Sequence, residues 1–128
     1  MSEFRTDGFF NYERKTMKPP FLTDDNMDSL LAGFDPSRLS FIAVGATSCA
    51  VCHTTAPFYK ALAEELAGQA DFYRCNADRT PSVIERLNLQ SIPTMLAFRG
   101  QTEVSRLTQI TQPSDFKNWI AAVLADNA

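Results

Sequence analysis

Cysteine is scarce in this chain, with three in 128 residues. So small and odd a number excludes a secreted disulfide scaffold and leaves Cys75 without an obvious partner. Histidine is scarcer still, His53 being the only one. Cys49, Cys52 and His53 therefore supply at most three of the four ligands a zinc site needs, and no metal site is expected unless subunits share one. No apolar run approaches the roughly 18 residues of a membrane span. The first 22 residues mix Glu3, Arg5, Asp7, Glu13, Arg14, Lys15 and Lys18 with aromatics, so they lack the apolar core, at least about 7 residues, of a secretory signal. Basic runs are missing too, and a net charge of −3 argues against a nucleic-acid or anionic-membrane partner. These absences point to a cytoplasmic protein. In a reducing compartment a cysteine pair is more readily catalytic or metal-binding than structural.

What is present is enough for one domain. A chain 45% apolar with ten phenylalanines can bury roughly two-thirds of its unfolded surface. Residues 1–17 alternate polar and aromatic residues without a sustained period and then meet Pro19-Pro20, which suits only an edge strand or a loop. They read as an N-terminal arm ahead of a domain over residues 18–128. Its Phe9-Phe10 and Tyr12 fit a docking arm, a packing strand or a disordered tail alike. Thr23 is placed to cap a short helix over 24–32 that Gly33 stops. Leu39 to Ala46 is almost continuously apolar, as for a strand buried on both faces, which implies helices on either side. A helical period follows from Cys49 to Ala67, with Pro57 inside it and a kink expected near 52–57. Phe72 to Asn76 reads as a second strand, and Thr80-Pro81 opens a helix through Leu87. Thr94–Phe98 and Thr102–Leu107, joined by Arg99-Gly100-Gln101, read as an antiparallel hairpin. A last helix beginning near Gln112-Pro113 places Phe116, Trp119, Ile120, Val123 and Leu124 on one stripe, which assigns Trp119 to the core.

Chemistry concentrates in Cys49-Ala50-Val51-Cys52-His53. The run matches two patterns: Cys-x-x-Cys as a thiol-disulfide motif in a βαβ setting, and Cys-x-x-Cys-His as a covalent haem attachment. Haem would require an export signal and a maturation context, neither of which is visible. For exchange, a thiolate is needed, and a free cysteine with pKa ~8.5 supplies little of it at neutral pH. The start of a helix lowers that value, because unpaired N–H groups and the macrodipole favour an anion there. With two residues between them, Cys49 and Cys52 share one helical turn, so Cys49 can attack a substrate disulfide and Cys52 can resolve the mixed disulfide. His53 reads either as an exposed first-turn residue or as a redox tuner, and Cys75 as a core thiol or a regulatory one.

A buried strand leading into Thr47-Ser48-Cys49-Ala50-Val51-Cys52, a helix carrying Pro57, and Ser91-Ile92-Pro93-Thr94 before a hairpin strand together resemble the thioredoxin family. The likeness runs from about Pro20 to Leu124 and includes Leu22-Thr23-Asp24-Asp25 ahead of the first helix. It implies an α/β, thioredoxin-like fold, a central mixed sheet flanked by helices on both faces in the order β-α-β-α-β-α-β-β-α. It implies a thiol-disulfide oxidoreductase with Cys49 as nucleophile, Cys52 as resolving thiol and no bound cofactor. Substrate would be positioned by Ile92, Pro93 and Thr94, with Pro93 in the cis form. Protein disulfides would be the substrates of a monomeric protein, with a thioredoxin reductase or glutathione as reductant. Departures are also implied: Ser48 stands where the family has Trp, Ala50-Val51 where it has Gly-Pro, and Ala43 where it has a buried Asp. Arg74 falls where a partner Lys is common, and would hold positive charge near the pair. These departures support a second reading, a redox-weak binding module or adaptor that uses the groove beside Pro93.

Overall fold

The computed structural model describes residues 19–127. At its centre lies β1 (Leu39–Gly45), whose run of β-branched and aromatic residues lets both faces be covered. On one edge it pairs in parallel with β2 (Ala70–Asn76), and on the other it pairs antiparallel with β3 (Thr94–Arg99). Strand β4 (Thr102–Leu107) closes the hairpin, giving the order β2-β1-β3-β4. The turn between β3 and β4 places Gly100 at φ +60° against Pro36, a backbone setting that a side chain would strain. Of the nine-element order implied by the resemblance, the first strand is represented among the described residues by one bridge, Phe21 beside Arg74. Leu22 N–H donates to the Arg74 carbonyl (2.7 Å) and Arg74 N–H to the Pro20 carbonyl (3.0 Å).

Alternation along β1 divides the core in two. Ile42 and Val44 face a cluster with Leu31 of α1 (Met27–Ala32) and with Val83 of α3 (Pro81–Arg86). Leu39 and Phe41 face Tyr59 of α2 (Ala50–Glu65) and Phe116, Ile120 and Val123 of α4 (Pro113–Asp126). Phe41, wholly buried, stacks on Phe72 at 5.2 Å and meets the Trp119 ring edge-on at 5.7 Å. Full burial of such a side chain stabilises by about 1.5–3 kcal/mol, and the ring pairing adds to it. Trp119 is only half-buried, its indole N–H donating to Ser105 Oγ at 2.9 Å, so it joins the core as expected with one polar edge outward. No helix among the described residues is long and apolar enough to cross a membrane.

One helix start and one helix cap depart from the sequence reading, although Thr80-Pro81 does open its helix as expected. The first helix begins at Met27, with Asn26 at its N-cap, and Thr23 does not cap it directly. Instead Thr23 and Asn26 exchange reciprocal bonds, Thr23 N–H to Asn26 Oδ1 (2.8 Å) and Asn26 N–H to Thr23 Oγ1 (3.2 Å), so the first four residues form a turn rather than a helix. Thr80 does precede α3, but its hydroxyl donates to the Asn76 carbonyl (3.0 Å). The N–H of Val83 is accepted by Asp24 Oδ1 from the other end of the chain (3.1 Å). Asp24 is thus a cap for α3, not a member of α1.

Candidate active site

Strand β1 delivers the chain to the site through Gly45 and a short loop whose shape is held from β2. Asn76 ends β2 and accepts the Asp78 N–H (3.0 Å), forming the single 3-10 turn Ala77–Arg79. That turn aims the Asp78 carboxylate at the Thr47 N–H (2.9 Å), while the Asn76 amide reaches the Thr47 hydroxyl (3.4 Å). Beyond this anchor α2 begins. Cys49 is its N-cap in extended conformation, and its sulfur accepts the Cys52 N–H at 3.2 Å. The sulfur therefore occupies the place where capping oxygens sit, with an orphan N–H and the positive helix end directed at it.

Cys49 and Cys52 are joined as a disulfide with Cα atoms 5.2 Å apart. Behind them α2 runs unbroken through Pro57, which withdraws one helical donor from the His53 carbonyl. Thr54 and Thr55 hydroxyls bond back to the carbonyls of Ala50 and Val51 (3.2 and 2.9 Å). Tyr59, fully buried two turns on, donates to the Tyr73 carbonyl at 2.6 Å and fastens α2 to β2. Burial pushes its hydroxyl far above the ordinary phenol value.

The remaining expected site residues separate into those gathered at the pair and those turned away. The Ile92–Pro93 bond is cis, and Pro93 lines the same cavity as Cys52. Ile92 packs half-buried against the α1/α3 cluster. The Thr94 side chain is buried, and its hydroxyl donates to the Ser91 carbonyl at 2.7 Å, which braces the loop carrying Pro93. His53 is exposed, its ring Nε2 on the Thr47 carbonyl, so it adds a second tie to the loop ahead of Cys49. Arg74 lies directly beside Ala43 in the parallel register. The two share the α2 face of the sheet and line the cavity reached by Cys52. Cys75 turns to the opposite face, buried, within 3.2 Å of Thr80 Oγ1. Burial pushes its thiol up. No group of His, Cys, Asp and Glu among the described residues could hold a metal ion.

Sequence reading passed over Asn76, Asp78 and Gly45. An Asn-x-Asp at the end of a strand is a turn signal with a mechanism, and it could have marked the anchor. Gly45 is the closer neighbour of the pair: a Cβ there would lie 3.1 Å from Cys52 Sγ and 3.2 Å from Cys52 Cβ. Only a residue without a side chain lets the disulfide sit this near β1.

A mixed sheet between two helix layers, with a vicinal dithiol pair capping the helix after its central strand and a cis-proline loop sharing the cavity, defines a dithiol-disulfide protein of the thioredoxin fold. The chain belongs to the thioredoxin family, whose model, described as Thioredoxin, matches residues 19–122. It is 30% identical to Thioredoxin-1 of Saccharomyces cerevisiae over 106 residues, covering 83% of this chain and 98% of that protein. It is 31% identical to the thioredoxin of Alicyclobacillus acidocaldarius over 105 residues, 82% and 93% of the two chains. In three dimensions it resembles the crystal structure of Malassezia sympodialis thioredoxin with a TM-score of 0.71, at 16% identity over 83% of this chain and 90% of that one.

Proposed function

We propose that Cys49 and Cys52 form the working couple of a thiol-disulfide oxidoreductase acting on protein disulfides. The carrying observation is the Cys49 sulfur at the N-cap of α2, bonded to Cys52 and accepting its N–H. In the dithiol form the same N–H and helix end hold the Cys49 thiolate. That thiolate attacks one sulfur of the substrate disulfide, and the substrate's other sulfur leaves as a thiolate. Cys52, deprotonated, then attacks the Cys49 sulfur, which closes the Cys49–Cys52 disulfide and expels the second substrate sulfur as a thiolate that takes its proton from water. Two electrons pass to the substrate. With Ala43 in place of an acid, and no carboxylate among the described residues lining the cavity beside Cys52, the proton of Cys52 goes to the departing substrate thiolate, a base of ordinary thiol strength.

Pro93 presents the backbone of its loop to an extended substrate chain beside the pair. Ile92 and Thr94 serve by holding that loop, through core packing and the bond to Ser91. His53 fixes the loop ahead of Cys49, and Arg74 places a permanent positive charge in the cavity behind Cys52. A thioredoxin reductase or glutathione returns the pair to the dithiol, in a cytoplasmic setting that keeps thiols reduced. The test is insulin disulfide reduction under dithiothreitol with the full chain and its Cys49→Ser variant. Wild type is expected to accelerate insulin precipitation while the variant stays at the uncatalysed rate. Equal, background rates for both would overturn the enzyme reading in favour of a binding module.

A further inference from the structure

Behind the disulfide the molecule is hollow. A cavity of about 500 Å³ opens between α2 and the sheet, and Cys52 lines it whereas Cys49 does not. Its size falls within the range of small-molecule sites, about 300–1,000 Å³. Two small residues create it, Ala43 and Gly45 at the end of β1. Its walls are mainly apolar and include Met95, Ile110 and Phe116, with Met95 in one row across the sheet from Ala43 and Arg74.

Charge in this space has one sign. Among the described residues Arg74 and Lys60 both line it, and no aspartate or glutamate does. Lys60 has a loose partner in Glu64 at 3.8 Å. Arg74 lies with its guanidinium 3.9 Å over the Phe21 ring, and its Nε is buried with no hydrogen-bond partner among the described residues. A guanidinium prefers a planar carboxylate above other acceptors. The hydroxyl of Tyr59, which lines the same space, donates to the Tyr73 carbonyl at 2.6 Å.

We propose that this cavity is a binding site for an apolar monocarboxylate, its hydrocarbon body against Met95, Ile110 and Phe116 and its carboxylate on Arg74. The site is independent of the redox reading, because it is complete in the oxidised protein. Bound ligand would cover the cavity face of Cys52 and leave Cys49 clear.

The experiment titrates the oxidised full chain with sodium octanoate and, separately, with 1-octanol by calorimetry. Amide chemical shifts are followed in parallel. Octanoate is expected to bind saturably at one site, about tenfold more tightly than octanol, the factor of one charge-assisted hydrogen bond. Shift changes are expected around Ala43, Cys52, Thr55 and Met95. Arg74→Gln should lower octanoate affinity about tenfold, to the octanol level. Ala43→Leu, which fills the hollow without touching the charge, should abolish binding of both while the protein melts no lower than wild type. The proposal is overturned by a wild type that shows no saturable octanoate binding, by equal affinity for octanol, by octanoate binding that survives Ala43→Leu, or by shifts that fall elsewhere.

Discussion

Replacing Gly45 by alanine should make the cysteine pair a stronger oxidant. The new methyl would stand 3.1 Å from Cys52 Sγ and 3.2 Å from Cys52 Cβ, closer than a methyl and a sulfur rest comfortably, so Cys52 must yield by a few tenths of an ångström. In the dithiol it can, because its side chain is free to turn toward the cavity. In the disulfide it cannot, since its sulfur is tethered to the N-cap of α2. An extra methylene pressed into a packed site costs about 1–3 kcal/mol. If ~1.4 kcal/mol of that falls on the oxidised form alone, the potential of this two-electron couple rises by ~30 mV and the equilibrium constant for oxidation falls about tenfold. The assay equilibrates wild type and Gly45→Ala in graded glutathione redox buffers and counts free thiols by alkylation shift. Thermal melts of both redox forms accompany it. Gly68→Ala is the control, because a Cβ at Gly68 meets nothing within 4 Å; its potential should match wild type. A Gly45→Ala potential equal to or below wild type would refute the reasoning. So would a loss of stability equal in the oxidised and reduced forms.

Further outcomes follow from groups away from the pair. Arg106 donates to the carbonyls of Leu87 and Asn88 (2.6 and 2.8 Å) at the end of α3 and binds Glu103 as well; Arg106→Ala should cost about 1–2 kcal/mol and lower the melting temperature by several degrees, and a melt unchanged within about 1 °C would show that water replaces it. Because burial raises the Tyr59 hydroxyl, the unfolded chain releases this proton above pH ~10 while the folded chain keeps it. Stability contributed by Tyr59 is therefore intact below pH ~10 and declines above it. Tyr59→Phe should melt lower at neutral pH and lose its deficit between about pH 10 and 12; parallel curves over that range would count against it. Cys75, buried with its thiol pushed up, should resist iodoacetamide in the reduced native protein and react only on unfolding, and prompt labelling of all three thiols would contradict that.

Much of this molecule can be read from residue order, for identifiable reasons. The β1 run and the hairpin about Gly100 were legible because local pattern decides them: strands were expected at Thr94–Phe98 and Thr102–Leu107, and they are observed at Thr94–Arg99 and Thr102–Leu107. The long helix was legible for the same reason, 49–67 against Ala50–Glu65. The pair at a helix start was equally legible, since spacing and the preceding apolar strand suffice. What escaped depends on distant partners. Asp24 looks like a first-turn acid of the nearest helix, yet it caps α3, 59 residues away. Asp78 holds Thr47 across 31 residues, and no local window joins them. The hollow behind Cys52 needs the β1/β2 register, which sets Ala43 beside Arg74, together with the closeness of Gly45 to the sulfur. The expected N-terminal arm and its aromatic residues Phe9, Phe10 and Tyr12 lie outside the described residues.

The division of the core by the sheet has a practical meaning for anyone who would alter this protein. Leu31, Val83 and Leu96 belong to one layer, while Tyr59, Phe116 and Met95 form the other, beneath the cysteines. A change in the first layer reaches the disulfide by displacing strands shared by both, or by loosening Ile92, whose packing holds the Pro93 loop. Substitutions that do not touch one another combine almost independently. Away from Ile92, the α1/α3 side is therefore a ballast compartment: heat tolerance can be added there, or eroded by drift, without retuning the electron-transfer end of the molecule.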